Sequence, residues 1–175
     1  GRLAGDLSVV FTAHEGEGDH GFETRALVTG GGVEGQPNVS PDGRHIAFTS
    51  TGDQIEPVGL DDVYVVGLDG GQPRPLAHSW DRSAGIVGWS ADGEHVFVQE
   101  TVGTTRHLQA LPVDGGPGRM ITSGNGVMGG LSMTPDTRTM AFTWQTPDTP
   151  WDVYVSPVAM DGPEIADVDT DAQAL

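Results

Sequence analysis

Ser90 is the residue whose surroundings come nearest to those of a serine nucleophile. A nucleophile elbow has the pattern G-x-S-x-G on a sharp turn from a strand into a helix. The segment Gly88-Trp89-Ser90-Ala91-Asp92 has aspartate in place of the second glycine, and its surroundings predict a turn between two strands. None of the six histidines completes the signature of a catalytic triad. We therefore interpret Ser90 as a turn residue and expect no catalytic residue in this chain.

Potential metal ligands are present, but their spacing does not predict a site. No H-E-x-x-H pattern or other paired-histidine spacing occurs, and there is no cysteine to form a thiolate site or a disulfide. His45 and His95 share one position of a repeated segment, as expected of residues on a strand surface. Asp167-Val168-Asp169-Thr170-Asp171 resembles the start of a calcium loop, but Ala172 stands where glycine is needed. Gly30-Gly31-Gly32 precedes no Lys-Ser/Thr, so it does not predict a phosphate-binding loop. From these patterns together we expect no metal and no cofactor.

Trp80, Asp81 and Arg82 form the one constellation that could face a substrate. An arginine offers a rigid fork of donors for a carboxylate or a backbone carbonyl, and a neighbouring aspartate can hold it in place. The alternative is a structural brace, in which Asp81 and Arg82 lock two repeated units together and Trp80 packs between them. The acidic loop at residues 53–57 could likewise contact a positively charged substrate or simply be solvated.

A repeated segment organises the chain, and the residues discussed above lie within its copies or between them. It occurs at residues 40–49, 90–99 and 134–143, with starts 50 and then 44 residues apart, the period of a four-stranded propeller blade. Each copy begins with Ser or Thr and an Asp two residues later, and the first also has Pro and Gly, all typical of a tight turn. The third copy has Thr137 in place of glycine, which predicts a strained or differently shaped turn. A partial copy at residues 8–12 matches only the second half of the segment.

The residues after each turn alternate between polar and apolar, which predicts half-buried strands joined by hairpins into antiparallel sheets. We therefore predict an all-β protein, an incomplete β-propeller of about three and a half four-stranded blades. Trp89, Phe48, Phe97 and Phe142 are expected in the core between blades, with Tyr64 and Tyr154 also packing. The predicted division is a partial blade at 1–30 and blades at 31–78, 79–123 and 124–175.

Composition limits the partners. The formal net charge is −17 and all eight basic residues are arginine. A surface this acidic argues against nucleic acid, which needs a positive stripe. No apolar run approaches the ~20 residues of a membrane span, and no signal peptide is visible. We expect neither a nucleic-acid nor a membrane partner. The residues leave the compartment open, with a cytoplasmic one favoured.

The repeated unit resembles the repeat of TolB-type propellers and equally that of prolyl oligopeptidase-family serine peptidases. Two further segments resemble the acylaminoacyl-peptidase and dipeptidyl-peptidase-like branch of that family. One is Trp80-Asp81-Arg82-Ser83 followed by Val87-Gly88-Trp89-Ser90; the other is residues 142–155, from Phe142 through Trp151-Asp152-Val153-Tyr154-Val155. The resemblance covers about residues 30–175.

The resemblance implies a cap rather than a catalyst. In that family the propeller covers an α/β-hydrolase domain that carries a Ser-Asp-His triad and is absent here. The implied role is to gate peptide substrates on their way to a hydrolase domain of the same parent polypeptide. Two alternatives stay open: a TolB-like module that binds a protein or peptide, and a structural repeat protein completed by self-association.

Overall fold

The computed structural model describes residues 10–12, 23–28, 32–52, 61–77 and 83–161. Within these ranges the chain forms only strands and turns, as predicted, and no helix that could span a membrane occurs. The strands are β1 (Val10–Thr12), β2 (Glu23–Arg25), β3 (Glu34–Val39), β4 (His45–Ser50), β5 (Asp62–Gly67), β6 (Arg74–Pro75), β7 (Gly85–Trp89), β8 (His95–Val102), β9 (Thr105–Pro112), β10 (Arg119–Met120), β11 (Val127–Met133), β12 (Thr139–Thr146) and β13 (Thr149–Pro157).

The strands are arranged as consecutive antiparallel units. Strands β3-β4-β5-β6 form one sheet, which we call blade 1. Strands β7-β8-β9-β10 form blade 2, and β11-β12-β13 form blade 3. A parallel bridge between Val127 and Arg106 joins blades 2 and 3 into one sheet, which differs from the purely antiparallel sheets expected. It arises where the chain returns from β10 past the end of β9, and the Arg106 N–H donates to the Gly126 carbonyl.

The repeated turns have one geometry in all three blades. In each, the N–H of the fourth residue donates to the carbonyl of the first, as from Gly43 to Ser40 and from Thr137 to Thr134. This fourth residue is left-handed, with φ of 68° at Gly43, 74° at Gly93 and 54° at Thr137. Thr137 therefore keeps the shape of the glycine turns and carries the predicted strain, because a β-branched residue disfavours this conformation.

The apolar side chains form clusters between the blades, and the four predicted core aromatic residues are in or against them. Blade 1 and blade 2 share the largest cluster, while Phe97 and Leu108 on the other face of blade 2 pack toward blade 3. Leu27 and Val28, which follow β2, pack against Ile46, Phe48 and Val66. The expectation of half-buried strands is therefore wrong for blade 2, because neighbouring blades cover both of its faces.

Candidate functional site

Ser90, Asp92 and His95 are close together, but they do not form a catalytic arrangement. The Ser90 hydroxyl donates directly to Asp92 Oδ1 at 2.5 Å. It also accepts a hydrogen bond of 2.9 Å from the backbone N–H of His95. A triad needs the imidazole between the serine and the carboxylate so that it can take the hydroxyl proton. Here the serine organises the turn, as the sequence predicted.

The same hydrogen bonds recur in the other two copies and lower the pKa of each aspartate. Ser40 donates to Asp42 at 2.5 Å, and Thr134 donates to Asp136 at 2.6 Å. The pKa of Asp42, Asp92 and Asp136 is below its usual value, chiefly because this hydroxyl stabilises the carboxylate. The backbone N–H two residues after each aspartate adds to the effect. These carboxylates therefore stabilise turns.

In the described part of the chain, Asp92, Glu94 and His95 are three potential metal ligands whose ligand atoms lie within 4.8 Å of one another. Asp92 and Glu94 are exposed, and Asp92 Oδ1 already accepts the Ser90 hydroxyl and the Glu94 N–H. The group thus follows from the geometry of the repeated turn and adds no ligand-binding feature to it.

The predicted substrate-facing residues Trp80, Asp81 and Arg82 lie outside the described residues. So do the acidic loop at 53–57, the segment at 167–171, and Gly30 and Gly31. The described residue that follows the Trp80-Asp81-Arg82 segment, Ser83, accepts a hydrogen bond of 3.0 Å from the N–H of Asp61. This contact joins the connection before β7 to the start of β5.

A polar cluster lies inside blade 2 and was not predicted from the sequence. Glu100 on β8 and Gln109 on β9 are 1% and 0% exposed, and Gln109 Nε2 donates to Glu100 Oε2 at 2.9 Å. His107 lies directly opposite Glu100 in the strand register and is 5% exposed. Because charged side chains are rarely fully buried, this group is the most unusual chemistry among the described residues.

The surroundings of His107 keep its imidazole neutral. Thr122 Oγ1 accepts the N–H of Leu108 at 2.9 Å and also lies 3.4 Å from His107 Nδ1, within hydrogen-bonding distance. Burial lowers the pKa of His107, because it penalises the charged form, and a hydrogen bond to the backbone of Gly124 only partly offsets this. The Trp144 ring lies 5.8 Å from the imidazole.

The cluster is shielded rather than open to a substrate. Trp144 packs over Gly126, where a Cβ atom would overlap the indole ring and the Gln145 carbonyl. The Glu100–Gln109 bond therefore ties β8 to β9, and burial separates the three polar side chains from solvent. The signal of this cluster in the sequence was the alternation of His107 and Gln109 along β9, which resembles a solvent-facing strand until both faces of the blade are known to be covered.

Hydrogen bonds from side chains to the backbone connect each blade to the next. Between blades 1 and 2, the Ile86 N–H donates to Gln36 Oε1 at 2.8 Å, and Trp89 Nε1 donates to the Asn38 carbonyl at 3.0 Å. Arg74 of blade 1 also donates to the Val113 carbonyl of blade 2. These contacts are spread from β3 to β6 of blade 1, so they hold blades 1 and 2 together across the sheet and stiffen the array.

Comparison with solved structures shows the fold. A TolB-type protein from Agrobacterium tumefaciens superposes with a TM-score of 0.61 at 22% sequence identity, over 85% of this chain and 51% of that one. TolB from Acinetobacter baumannii gives a TM-score of 0.54 at 16% identity, over 81% of this chain and 32% of that one. The chain therefore has the fold of a TolB-like propeller and spans about half of the first of these structures.

Curated relatives are peptidases by name. Tricorn protease homolog 1 of Streptomyces coelicolor is 36% identical over 92 residues, which is 50% of this chain. Dipeptidyl-peptidase 5 of Aspergillus oryzae is 31% identical over 129 residues, which is 71% of this chain. The matched segments are only 8% and 17% of the lengths of these relatives. No family model matches the chain. With its open array of blades, the chain is an incomplete TolB-like β-propeller that fits the propeller portion of a prolyl oligopeptidase-family peptidase.

Proposed function

We propose that this chain is the non-catalytic propeller segment of a serine peptidase and gates the access of peptide substrates to a hydrolase domain of the same polypeptide. The observation that carries the proposal is the match to dipeptidyl-peptidase 5, which extends over 129 residues, or 71% of this chain. The contacts between blades support a gating role, because a stiff array can exclude folded proteins while admitting short peptides.

The reaction of the parent protein would be amide hydrolysis through an acyl-enzyme, with the nucleophile and its base outside this chain. The purified chain is expected to show no hydrolysis of aminoacyl-anilide substrates, and turnover would contradict this assignment. A coding sequence that continues beyond Leu175 into a G-x-S-x-G element, followed by Asp and His in one α/β domain, would support it.

Gating is tested in the full-length parent protein by loosening the contact between blades 1 and 2. Gln36→Ala removes the acceptor of the Ile86 N–H without changing a buried apolar side chain. We expect faster hydrolysis of long peptides and unchanged hydrolysis of a dipeptidyl anilide. Ser132→Ala, at an exposed position of β11, is the control. If the ratio of the two hydrolysis rates in the Gln36 variant equals the ratio in the unsubstituted protein, a gate at this contact is excluded.

The two roles considered for Trp80, Asp81 and Arg82 make different predictions in that protein. If the residues face the substrate, Arg82→Ala raises KM and leaves the free energy of unfolding unchanged. If they brace two blades, it lowers the free energy of unfolding and leaves KM unchanged.

The proposed blade boundaries at 31–78, 79–123 and 124–175 predict protease-sensitive sites near residues 79 and 124.

A TolB-like binding module is the second candidate, and the superposition on two TolB structures favours it. In that case the parent polypeptide would continue with further Ser-Pro-Asp-Gly units or stop, and no hydrolase domain would follow. The coding sequence beyond residue 175 therefore distinguishes the two candidates.

A further inference from the structure

The inner strand of blade 2, β7, has a free edge, and a side chain of blade 1 covers one amide of that edge. In the described part of the chain β7 pairs with β8 alone, so its other edge has no partner strand. On that side the Ile86 N–H donates to Gln36 Oε1 at 2.8 Å. Residues 85–88 are half-buried, so part of their surface is accessible to solvent. A free strand edge is a template for pairing with another extended chain.

Gln36 makes this contact from a strained backbone conformation. Its φ of 49° lies in the left-handed region, which residues other than glycine rarely adopt. The equivalent residue of blade 3 is Gly130, which has a φ of 51° at the same bulge of the inner strand. A glycine therefore forms this bulge without strain, and the contact with Ile86 is what the glutamine side chain adds. Strained residues cluster at functional sites such as ligand clamps.

The side-chain amide of Gln36 has the chemistry of a peptide bond. Its oxygen accepts the Ile86 N–H at a distance typical of the hydrogen bonds between strands, so it takes the position of a carbonyl on an added strand. Gln36 is exposed, and a glutamine side chain gains rotamer freedom when its hydrogen bond breaks. The contact therefore covers the amide but can be displaced by a competing carbonyl.

The residues around this contact favour β7 over β3 as the strand that a peptide would join. β3 contains Pro37, which has no N–H to donate, and the Asn38 carbonyl already accepts the Trp89 indole N–H at 3.0 Å. β7 has no proline. At its Gly88 an added Cβ would meet no heavy atom of the described residues within 4 Å, and glycine in a strand permits close approach of another backbone.

We propose that the free edge of β7 binds an extended peptide by strand addition, and that Gln36 is a built-in competitor that moves aside when the peptide carbonyl accepts the Ile86 N–H. The ligand is recognised by its backbone, so peptides of many sequences bind, whereas a folded protein whose strands are already paired does not. The proposal rests on the proposed function only for the source of the peptide, namely a substrate on its way to the hydrolase domain.

The experiment measures peptide binding to the purified chain by calorimetry. The probe is a blocked, uncharged hexapeptide of alternating threonine and valine. Gln36→Ala removes the competing acceptor, and Gln36→Gly also gives position 36 the relaxed backbone of Gly130. Both variants should bind the hexapeptide about fivefold more tightly than the unsubstituted chain, a difference of about 1 kcal/mol. Gln36→Glu keeps an acceptor oxygen in place and is the matched control, so its affinity should equal that of the unsubstituted chain.

Hydrogen exchange at the Ile86 amide locates the bound peptide. This amide should exchange faster in the Gln36→Ala variant than in the unsubstituted chain and should regain protection when the hexapeptide is added. The same hexapeptide with every amide N-methylated lacks the donors that strand addition needs, and it should give no protection.

The proposal is overturned if the unsubstituted chain and both the alanine and glycine variants bind the hexapeptide equally. It is also overturned if the bound peptide leaves exchange at Ile86 unchanged, or if the N-methylated peptide protects this amide as well as the hexapeptide does. None of these readouts measures hydrolysis. A failure here is therefore distinguishable from a failure of the proposed function, which is tested by hydrolysis rates in the parent protein.

Discussion

The hydroxyl oxygen of Thr137 accepts a hydrogen bond of 3.1 Å from the backbone N–H of Ala91. These residues belong to the repeated turns of neighbouring blades, so the bond links blade 3 to blade 2. Thr137 occupies the position of Gly43 and Gly93 and has a left-handed φ of 54°. The threonine thus replaces a relaxed glycine with a strained residue that connects two turns.

This relationship predicts different effects for two substitutions at position 137. Thr137→Val keeps the shape and the strain but removes the acceptor, so it should lower the free energy of unfolding by about 1 kcal/mol. Thr137→Gly loses the same bond but also releases about 1–2 kcal/mol of backbone strain, so its stability should stay near that of the parent chain. Thr137→Ser, which keeps the hydroxyl, is the control. Urea unfolding measures all three, and a valine variant as stable as the parent chain would contradict the bond's role.

The buried pair in blade 2 predicts a contrast between two glutamines. Gln109→Leu removes the donor to the buried Glu100 and should cost about 1–3 kcal/mol, because it takes a hydrogen-bond partner away from a buried polar group. Gln99→Leu on the neighbouring strand removes a buried Nε2 that has no hydrogen-bond partner among the described residues, so stability should stay equal or rise. Thermal unfolding of the two variants checks this. Equal destabilisation would show that the Glu100–Gln109 bond contributes little.

The buried imidazole predicts a loss of stability in mild acid. Burial lowers the folded-state pKa of His107 below its ordinary value of 6.5. The unfolded chain therefore binds more protons as the pH falls below 6.5, and stability decreases between that pH and the folded pKa. The slope from this one group cannot exceed about 1.4 kcal/mol per pH unit. His107→Gln should flatten the curve in this window, and His45→Gln is the control. An unchanged slope in the His107 variant would argue against a neutral buried imidazole.

The turn aspartates predict a second transition at lower pH. The Ser90 hydroxyl lowers the folded-state pKa of Asp92 below 3.8, so its contribution to stability is present above pH 3.8 and is lost as the pH falls through the folded value. Asp92→Asn should make this acid transition shallower. Asp148→Asn, in the exposed hairpin between β12 and β13, serves as the comparison. The test is an acid titration followed by circular dichroism, and identical profiles for the two variants would rule out the turn as the source.

Residues 40–49 show how much of the fold could be predicted from the sequence. Ser40, Pro41, Asp42 and Gly43 have strong local preferences for a turn, and the alternation after them indicates a strand whatever the rest of the chain does. The all-β class, the strand order and the open propeller followed from repeating that unit.

The buried Glu100–Gln109 pair and the hydrogen bond between Gln36 and Ile86 could not be predicted in this way. Polar residues on alternating strand positions look solvent-facing unless a second sheet is known to cover them. Gln36 has a left-handed φ of 49° at the position where blade 3 has Gly130, and nothing in its neighbours along the chain indicates this. Its side chain is fixed by Ile86, 50 residues away, so only the packing of two blades explains it.

Val65 and Val155 mark the boundary between the two kinds of information. Their neighbours in sequence and in register are alike, and these neighbours predict that both are strand residues on a buried face. One is buried and the other is 71% exposed. Local backbone preferences are encoded in each segment and determined the blades and turns. Burial depends on which sheet approaches, and the tertiary structure alone decided that.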